Sequence, residues 1–124
     1  MSYCEPLPDD CPPAQAEEVT AERVVYRLVS ANPARMEDFR SQRAERPGAV
    51  FRGVPECLAC GLSVHAEYAD SEKMRKLPRF KNRLVCRVHL GNGAGRIQQT
   101  FQPSHHTWWP LAAFDILGHC EVLA

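Results

Sequence analysis

The chain has 124 residues, a formal net charge of zero and an apolar content of 44%, which allows one domain with a single core and excludes two ordinary domains. It contains no run of about 18 apolar residues, so we expect no membrane span. The first residues have neither a basic start nor an apolar stretch. This argues against a signal peptide and predicts a cytoplasmic protein whose six cysteines are reduced.

Charge is unevenly distributed along the chain. Residues 1–18 contain five acidic residues, four prolines and no Lys or Arg, which predicts a disordered tail ahead of a single domain over residues 19–124. Cys4 and Cys11 fall in this tail. Neither is therefore expected to bind a metal or to act in catalysis.

A basic run lies between residues 73 and 87, and no acidic residue occurs between Glu72 and Asp115. Its members are Lys73, Arg75, Lys76, Arg79, Lys81, Arg83 and Arg87. Such a run attracts phosphates, so it predicts a surface for a nucleotide, for nucleic acid or for an acidic protein partner. A solvated face without a partner would have the same composition.

The first predicted elements are a strand and a helix. Residues 23–29 form an apolar run that indicates a strand buried on both sides, so the basic Arg27 within it needs either a partner or a ligand. Asn32 is expected to cap a helix that starts at Pro33. That helix should end at Arg46, because a proline and a glycine follow.

The remaining predicted elements are shorter. In chain order they are a loop at 47–56, a strand at 62–66, a helix from Asp70 or Ser71 to Leu77, and strands at 83–90, 97–101, 105–109 and around 119–123. A glycine-rich turn at 91–95 joins two of these strands as a hairpin. Strands that follow two short helices predict a small α+β domain with a mixed or antiparallel sheet.

The segment His105–Pro110 contains both tryptophans and two of the five histidines. Alternation in a strand places His105, Thr107 and Trp109 on one face and His106 and Trp108 on the other. We interpret one face as packed and the other as lining a cleft. An ordinary core strand with hydrogen-bonded histidines is the alternative.

Two sets of residues could carry chemistry, and the first is metal-like. Cys57 and Cys60 have the spacing of a zinc knuckle, and Cys86 and His89 could supply two further ligands. In a regular strand Cys86 and His89 face opposite sides, which argues against one tetrahedral ion. A non-catalytic, zinc-stabilised module that binds nucleic acid or an acidic protein through the basic run is therefore the alternative hypothesis.

The second set predicts a cleft for an anionic ligand. Its members are Arg27, Ser63, His65, His105, His106 and Trp108. The guanidinium could pair with a phosphate, the serine could bond beside it, and a histidine could act as acid or base. An indole could stack on a flat ring.

The order of elements, with Tyr26-Arg27 on the first strand and Gly61-Leu62-Ser63-Val64 on a middle strand, resembles the ADP-ribosyltransferase fold over roughly residues 23–123. The resemblance implies that NAD or a related nucleotide is bound. Arg27 would grip a phosphate, Ser63 would contact the nicotinamide ribose, and His105 or His106 would serve the reacting centre. The protein would then be a toxin or effector enzyme that transfers or hydrolyses ADP-ribose.

The chain departs from this family at the catalytic glutamate. At the corresponding place it has His105-His106-Thr107, and Glu121 is the only nearby late carboxylate. A neutral histidine cannot supply the negative charge that stabilises an oxocarbenium-like ribose. The resemblance therefore implies a retained fold with altered chemistry.

Overall fold

Seven strands form one antiparallel sheet in the computed structural model, which describes residues 2–123. They are β1 (Glu17–Glu18), β2 (Arg23–Val29), β3 (Leu62–His65), β4 (Leu84–Leu90), β5 (Gly95–Gln99), β6 (His105–Pro110) and β7 (Cys120–Val122). Their order across the sheet is β1-β5-β6-β3-β2-β4-β7. The predicted α+β class is confirmed, and of the mixed or antiparallel sheet that was expected the structure has the antiparallel form, with most of the predicted strands.

The helices are short and accompany the sheet. They are α1 (Gln42–Glu45), α2 (Glu56–Ala59) and α3 (Tyr68–Arg75), with single 3-10 turns at Met36–Asp38, Pro78–Phe80 and Leu117–His119. Three α-helices therefore replace the two expected. None of the helices within residues 2–123 is long and apolar enough to cross a membrane.

The two longest strands, β2 and β4, lie side by side in the sheet, and their β-branched residues suit a pleated, buried surface. β2 and β4 pair over seven residues, from Arg23 opposite Leu90 to Val29 opposite Leu84. One face of the sheet, here called the inner face, carries the main core, which includes Val25, Val64 and Trp108. The opposite face is called the cleft face; it is covered by α3 at one end and lines a cleft elsewhere.

The prediction of a single helix from Pro33 to Arg46 is wrong. The structure has only the 3-10 turn Met36–Asp38 and the one-turn helix α1, and Ser41 between them is extended at φ −71° and ψ 166°. The carbonyl oxygens of Asp38 and Arg40 accept hydrogen bonds from the Arg27 guanidinium. These carbonyls therefore do not accept the backbone hydrogen bonds, from amides four residues later, that a continuous helix would need.

Residues 2–18, for which the sequence predicts a disordered tail, contact the sheet at both ends of this segment. The amide of Cys4 donates to the Pro110 carbonyl at 2.9 Å, and β1 pairs with β5. Cys11 forms a disulfide with Cys57, so the expectation that all cysteines are reduced is wrong for this pair. The sequence could not show this, because a disulfide depends on Cα atoms brought within about 7 Å by the fold.

Candidate functional site

A cleft of about 720 Å³ opens on the cleft face. Its floor is formed by β3 and β6, and its walls by residues 37–58, by the segment that follows α3 and by the loop between β5 and β6. The volume lies within the range of about 300–1,000 Å³ that is typical of small-molecule sites. The predicted residues Ser63, His65 and His105 all line it.

Two histidines lie next to each other on the cleft floor because β3 and β6 pair with His65 opposite His105. Their ring centroids are 5.8 Å apart in an edge-to-face arrangement. Nδ1 of His65 is hydrogen-bonded to Ser71 Oγ, and Nδ1 of His105 to Thr100 Oγ1, each at 2.9 Å. Among residues 2–123 neither Nε2 has a hydrogen-bond partner, so Nε2 is the nitrogen available to a ligand.

Burial keeps both rings neutral. It lowers the pKa of His65, an effect partly opposed by Asp70, and it lowers the pKa of His105, where the neighbouring His65 acts in the same direction. Both pKa values therefore lie below the ordinary value of about 6.5. At neutral pH each ring can accept a proton, and a proton on one ring disfavours a proton on the other.

Hydroxyl groups surround the pair. Thr100 Oγ1 is also hydrogen-bonded to Thr107 Oγ1 at 2.9 Å, and Thr107 lies opposite Ser63 in the sheet. Ser63 is exposed on the cleft floor, two residues before His65 and on the same face. The hydrogen bonds of Thr100 fix the ring position of His105, while the Ser63 hydroxyl faces the cleft.

Arg27 reaches the base of the cleft where β2 and β3 separate beyond their pair Tyr26–His65. Its guanidinium donates to the carbonyl oxygens of Asp38 at 2.9 Å, Ser63 at 2.7 Å and Arg40 at 3.0 Å. Burial lowers the pKa of Arg27 to about 10, which still leaves the group charged at neutral pH. Two of its five N–H groups thus hold the cleft wall to the sheet and a third connects β2 to β3, so the first role of Arg27 is structural.

Asp38 fixes the same wall. Its carboxylate accepts hydrogen bonds from the Ser30 amide at 2.8 Å, from Ser30 Oγ at 2.6 Å and from the Arg35 amide at 3.1 Å. Burial alone would raise the pKa of Asp38, but the hydrogen bonds from Ser30 and Arg35 outweigh it and lower that pKa. Asp38 is therefore ionised and engaged with the backbone at neutral pH.

The upper walls combine charge with aromatic rings. Arg40, Arg46 and Arg83 are exposed lining residues, and so are Glu37 and Glu45. Three phenylalanines, Phe51, Phe80 and Phe101, also line the cleft. Guanidinium groups suit phosphates and aromatic rings suit flat heterocycles.

Several predicted site residues lie elsewhere. His106 is on the inner face, where its Nδ1 donates to the Ser104 carbonyl at 2.9 Å. Trp108 is fully buried in the core and Trp109 is 1% exposed; their indole N–H groups donate to the carbonyls of Ala94 and Cys57. Glu121 pairs with Arg87 at 3.0 Å on the edge strand β7, at the far side of the sheet.

The four candidate zinc ligands are not brought together. Cys57 is in the disulfide, and Cys60, at the end of α2, has a pKa raised to about 11 by burial and by Glu56. Cys86 is buried on the inner face, and His89, three residues on, is exposed. Within residues 2–123 no group of three or more His, Cys, Asp or Glu is arranged to hold a metal ion.

Sequence reasoning missed the groups that support the site. Ser71 and Thr100 carried no signal, because hydroxyl residues are common at helix starts and in turns. Phe101 was expected at the end of a strand, but β5 ends at Gln99 and Phe101 lies in the following loop. An aromatic residue two positions before Pro103 was the one available indication.

Comparison of the chain with protein families, with curated proteins and with solved structures finds no match.

Proposed function

We propose that the cleft binds a nucleotide and that His65 and His105 carry acid–base catalysis at its ribose–phosphate part. The observation that supports this most directly is the pair of neutral histidines, held through Nδ1, with Nε2 available on the cleft floor. Either ring can take a proton at Nε2 as a general base, and the imidazolium so formed can give that proton to the leaving group, which is acid–base catalysis near neutral pH.

The walls support a nucleotide as the ligand class. Arg40, Arg46 and Arg83 give the rim cationic groups for phosphate, and the phenylalanines provide apolar surface for a base. Arg27 adds positive charge at the base of the cleft, although three of its N–H groups are already engaged.

The more specific form of the proposal follows the ADP-ribosyltransferase resemblance. The nucleotide would be NAD, and ADP-ribose would be transferred or hydrolysed, with Ser63 contacting the ribose next to His65. Glu121 would not take part, because it is paired with Arg87 at the sheet edge. A carboxylate that stabilises a cationic ribose would have to come from Glu37 or Glu45, since Asp38 is engaged with Ser30 and Arg35.

The test measures binding of NAD and ADP-ribose by calorimetry and release of nicotinamide from NAD. His65→Asn and His105→Asn should lower turnover about a hundredfold or more with little change in affinity. His89→Asn is the matched control, because His89 is an exposed histidine outside the cleft. Absence of binding at millimolar NAD and ADP-ribose, or equal turnover in all three variants, would overturn the proposal.

Binding of the phosphate groups is tested at residues other than Arg27, because replacing Arg27 would also detach the cleft wall from the sheet. Arg83→Ala should weaken ADP-ribose binding, and Lys81→Ala, an exposed cation of the same basic run that does not line the cleft, should not. Tight, salt-sensitive binding of a single-stranded oligonucleotide that both variants weaken equally would instead favour the alternative, a nucleic-acid-binding surface on the basic run.

A further inference from the structure

Phe101 has an unusual backbone and an unusual environment. Its φ is +61°, in the left-handed region that bulky residues rarely adopt. The Gln102 amide donates to the Thr100 carbonyl at 2.7 Å, which closes a three-residue turn centred on Phe101. The ring is 65% exposed, so burial does not offset the cost of this conformation.

The loop that carries Phe101 is held by several hydrogen bonds. The Thr100 amide donates to the His105 carbonyl at 2.9 Å, and the His105 amide donates to the Gln102 carbonyl at 3.0 Å. Gln99 Nε2 donates to the same carbonyl at 2.9 Å. The strained turn is thus imposed by its surroundings, an arrangement typical of ligand-binding sites.

The exposed ring lies beside the catalytic pair. Its centroid is 5.4 Å from that of the His105 imidazole, at an interplanar angle of 63°, and it lines the cleft. The tryptophan expected to stack on a ligand cannot do so, because Trp108 is fully buried in the core. Phe101 is the aromatic residue that combines exposure, strain and contact with His105.

We propose that Phe101 is the stacking residue of the cleft and receives the flat base of the nucleotide next to His105. This inference rests on the proposed function, and it adds that the site discriminates nucleotides from sugar phosphates that lack a base. Phe101 is exposed to the cleft and can therefore pack against a heterocycle, and such stacking is sequence-tolerant because every base has a π-face.

The test compares two probes, ADP-ribose and ribose 5-phosphate. Phe101→Ala should weaken ADP-ribose binding about ten- to hundredfold, the range of base–aromatic stacking, and leave ribose 5-phosphate unchanged. Phe101→Trp should keep the affinity, and its exposed indole should be quenched by the base. If wild type binds ADP-ribose and Phe101→Ala binds it equally well, the stacking role is wrong and the proposed function stands. If wild type binds neither probe, the proposed function fails and this inference with it.

A stability measurement separates a ligand role from a structural one. Phe101→Gly replaces a strained residue with the one that tolerates positive φ, and the ring it removes buries little surface. Its melting temperature should equal or exceed that of wild type while its affinity for ADP-ribose falls as in Phe101→Ala. A marked drop in melting temperature would overturn the inference, because Phe101 would then serve the fold.

Discussion

The buried positions of His65 and His105, which suit the proposed catalysis, should lower the free energy of unfolding at acid pH. Burial lowers the pKa of both rings in the folded protein. As pH falls through the ordinary value of about 6.5, the unfolded chain gains protons that the folded protein does not accept. The free energy of unfolding should therefore be highest at neutral or higher pH and fall from pH 7.5 to 5.5. Urea unfolding at the two pH values measures that loss.

The histidine variants identify which rings cause the loss. His105→Asn removes one ring of lowered pKa, so its stability should change less between the two pH values than that of wild type, whatever its absolute stability. His89→Asn removes an exposed histidine outside the cleft and serves as the control. The Asp38 carboxylate, whose pKa is lowered, loses its contribution only at more acidic pH. Equal pH dependence in all three proteins would contradict the assignment.

Individual site residues differ in how far the sequence could indicate them. Arg27 could be singled out because it is a charged residue in an apolar strand. A buried guanidinium needs hydrogen-bond partners, so the sequence also indicated that Arg27 has some. Its partners are backbone carbonyls of Asp38, Arg40 and Ser63, and no side-chain pattern records such contacts. The alternation of 105–110 predicted which residues share a face, but only the fold determined which face lines the cleft.

The hairpin of β5 and β6 depends on a glycine at its first paired position. Gly95 lies opposite Pro110 at φ +119°, and an added Cβ would collide with the Trp109 carbonyl oxygen and lie 3.0 Å from the Leu111 amide nitrogen. Gly95→Ala should lower the free energy of unfolding by about 2 kcal/mol or more, from strain and steric clash together. Gly91→Ala is the control, because nothing lies within 4 Å of its added Cβ. Similar urea midpoints for both variants would contradict this account.

The elements predicted best are those whose pattern is decided locally. The strands predicted at 23–29 and 83–90 are rich in apolar, β-branched residues, and the observed strands Arg23–Val29 and Leu84–Leu90 agree with them within a residue. The prediction of a helix from Pro33 depended on few apolar positions. The carbonyls of Asp38 and Arg40 in this segment bond instead to Arg27, which lies 11 and 13 residues earlier in the chain. Long-range competition of this kind leaves no periodic signal.

The N-terminal segment links the disulfide to the cleft. Glu5 accepts hydrogen bonds from the amide and the hydroxyl of Ser41, and Ser41 lines the cleft and caps α1 by accepting from the Ala44 amide at 3.1 Å. The bridge between Cys11 and Cys57 anchors this segment to α2, across a sequence separation of 46 residues. Loss of the disulfide should therefore make the cleft wall, as well as the N-terminal segment, more mobile.

Cys11→Ser tests this linkage. A loop of this length predicts a loss of about 4 kcal/mol in the free energy of unfolding if the effect on the unfolded chain dominates. Hydrogen exchange should rise over residues 2–16 and 37–45, while the paired centre of β2 and β4 stays protected, because seven residue pairs hold it without the bridge. Cys4→Ser, which removes an exposed free thiol of the same segment, should leave both regions as in wild type. Unchanged exchange over 37–45 in Cys11→Ser would mean that Glu5 and Ser41 hold the wall without help from the disulfide.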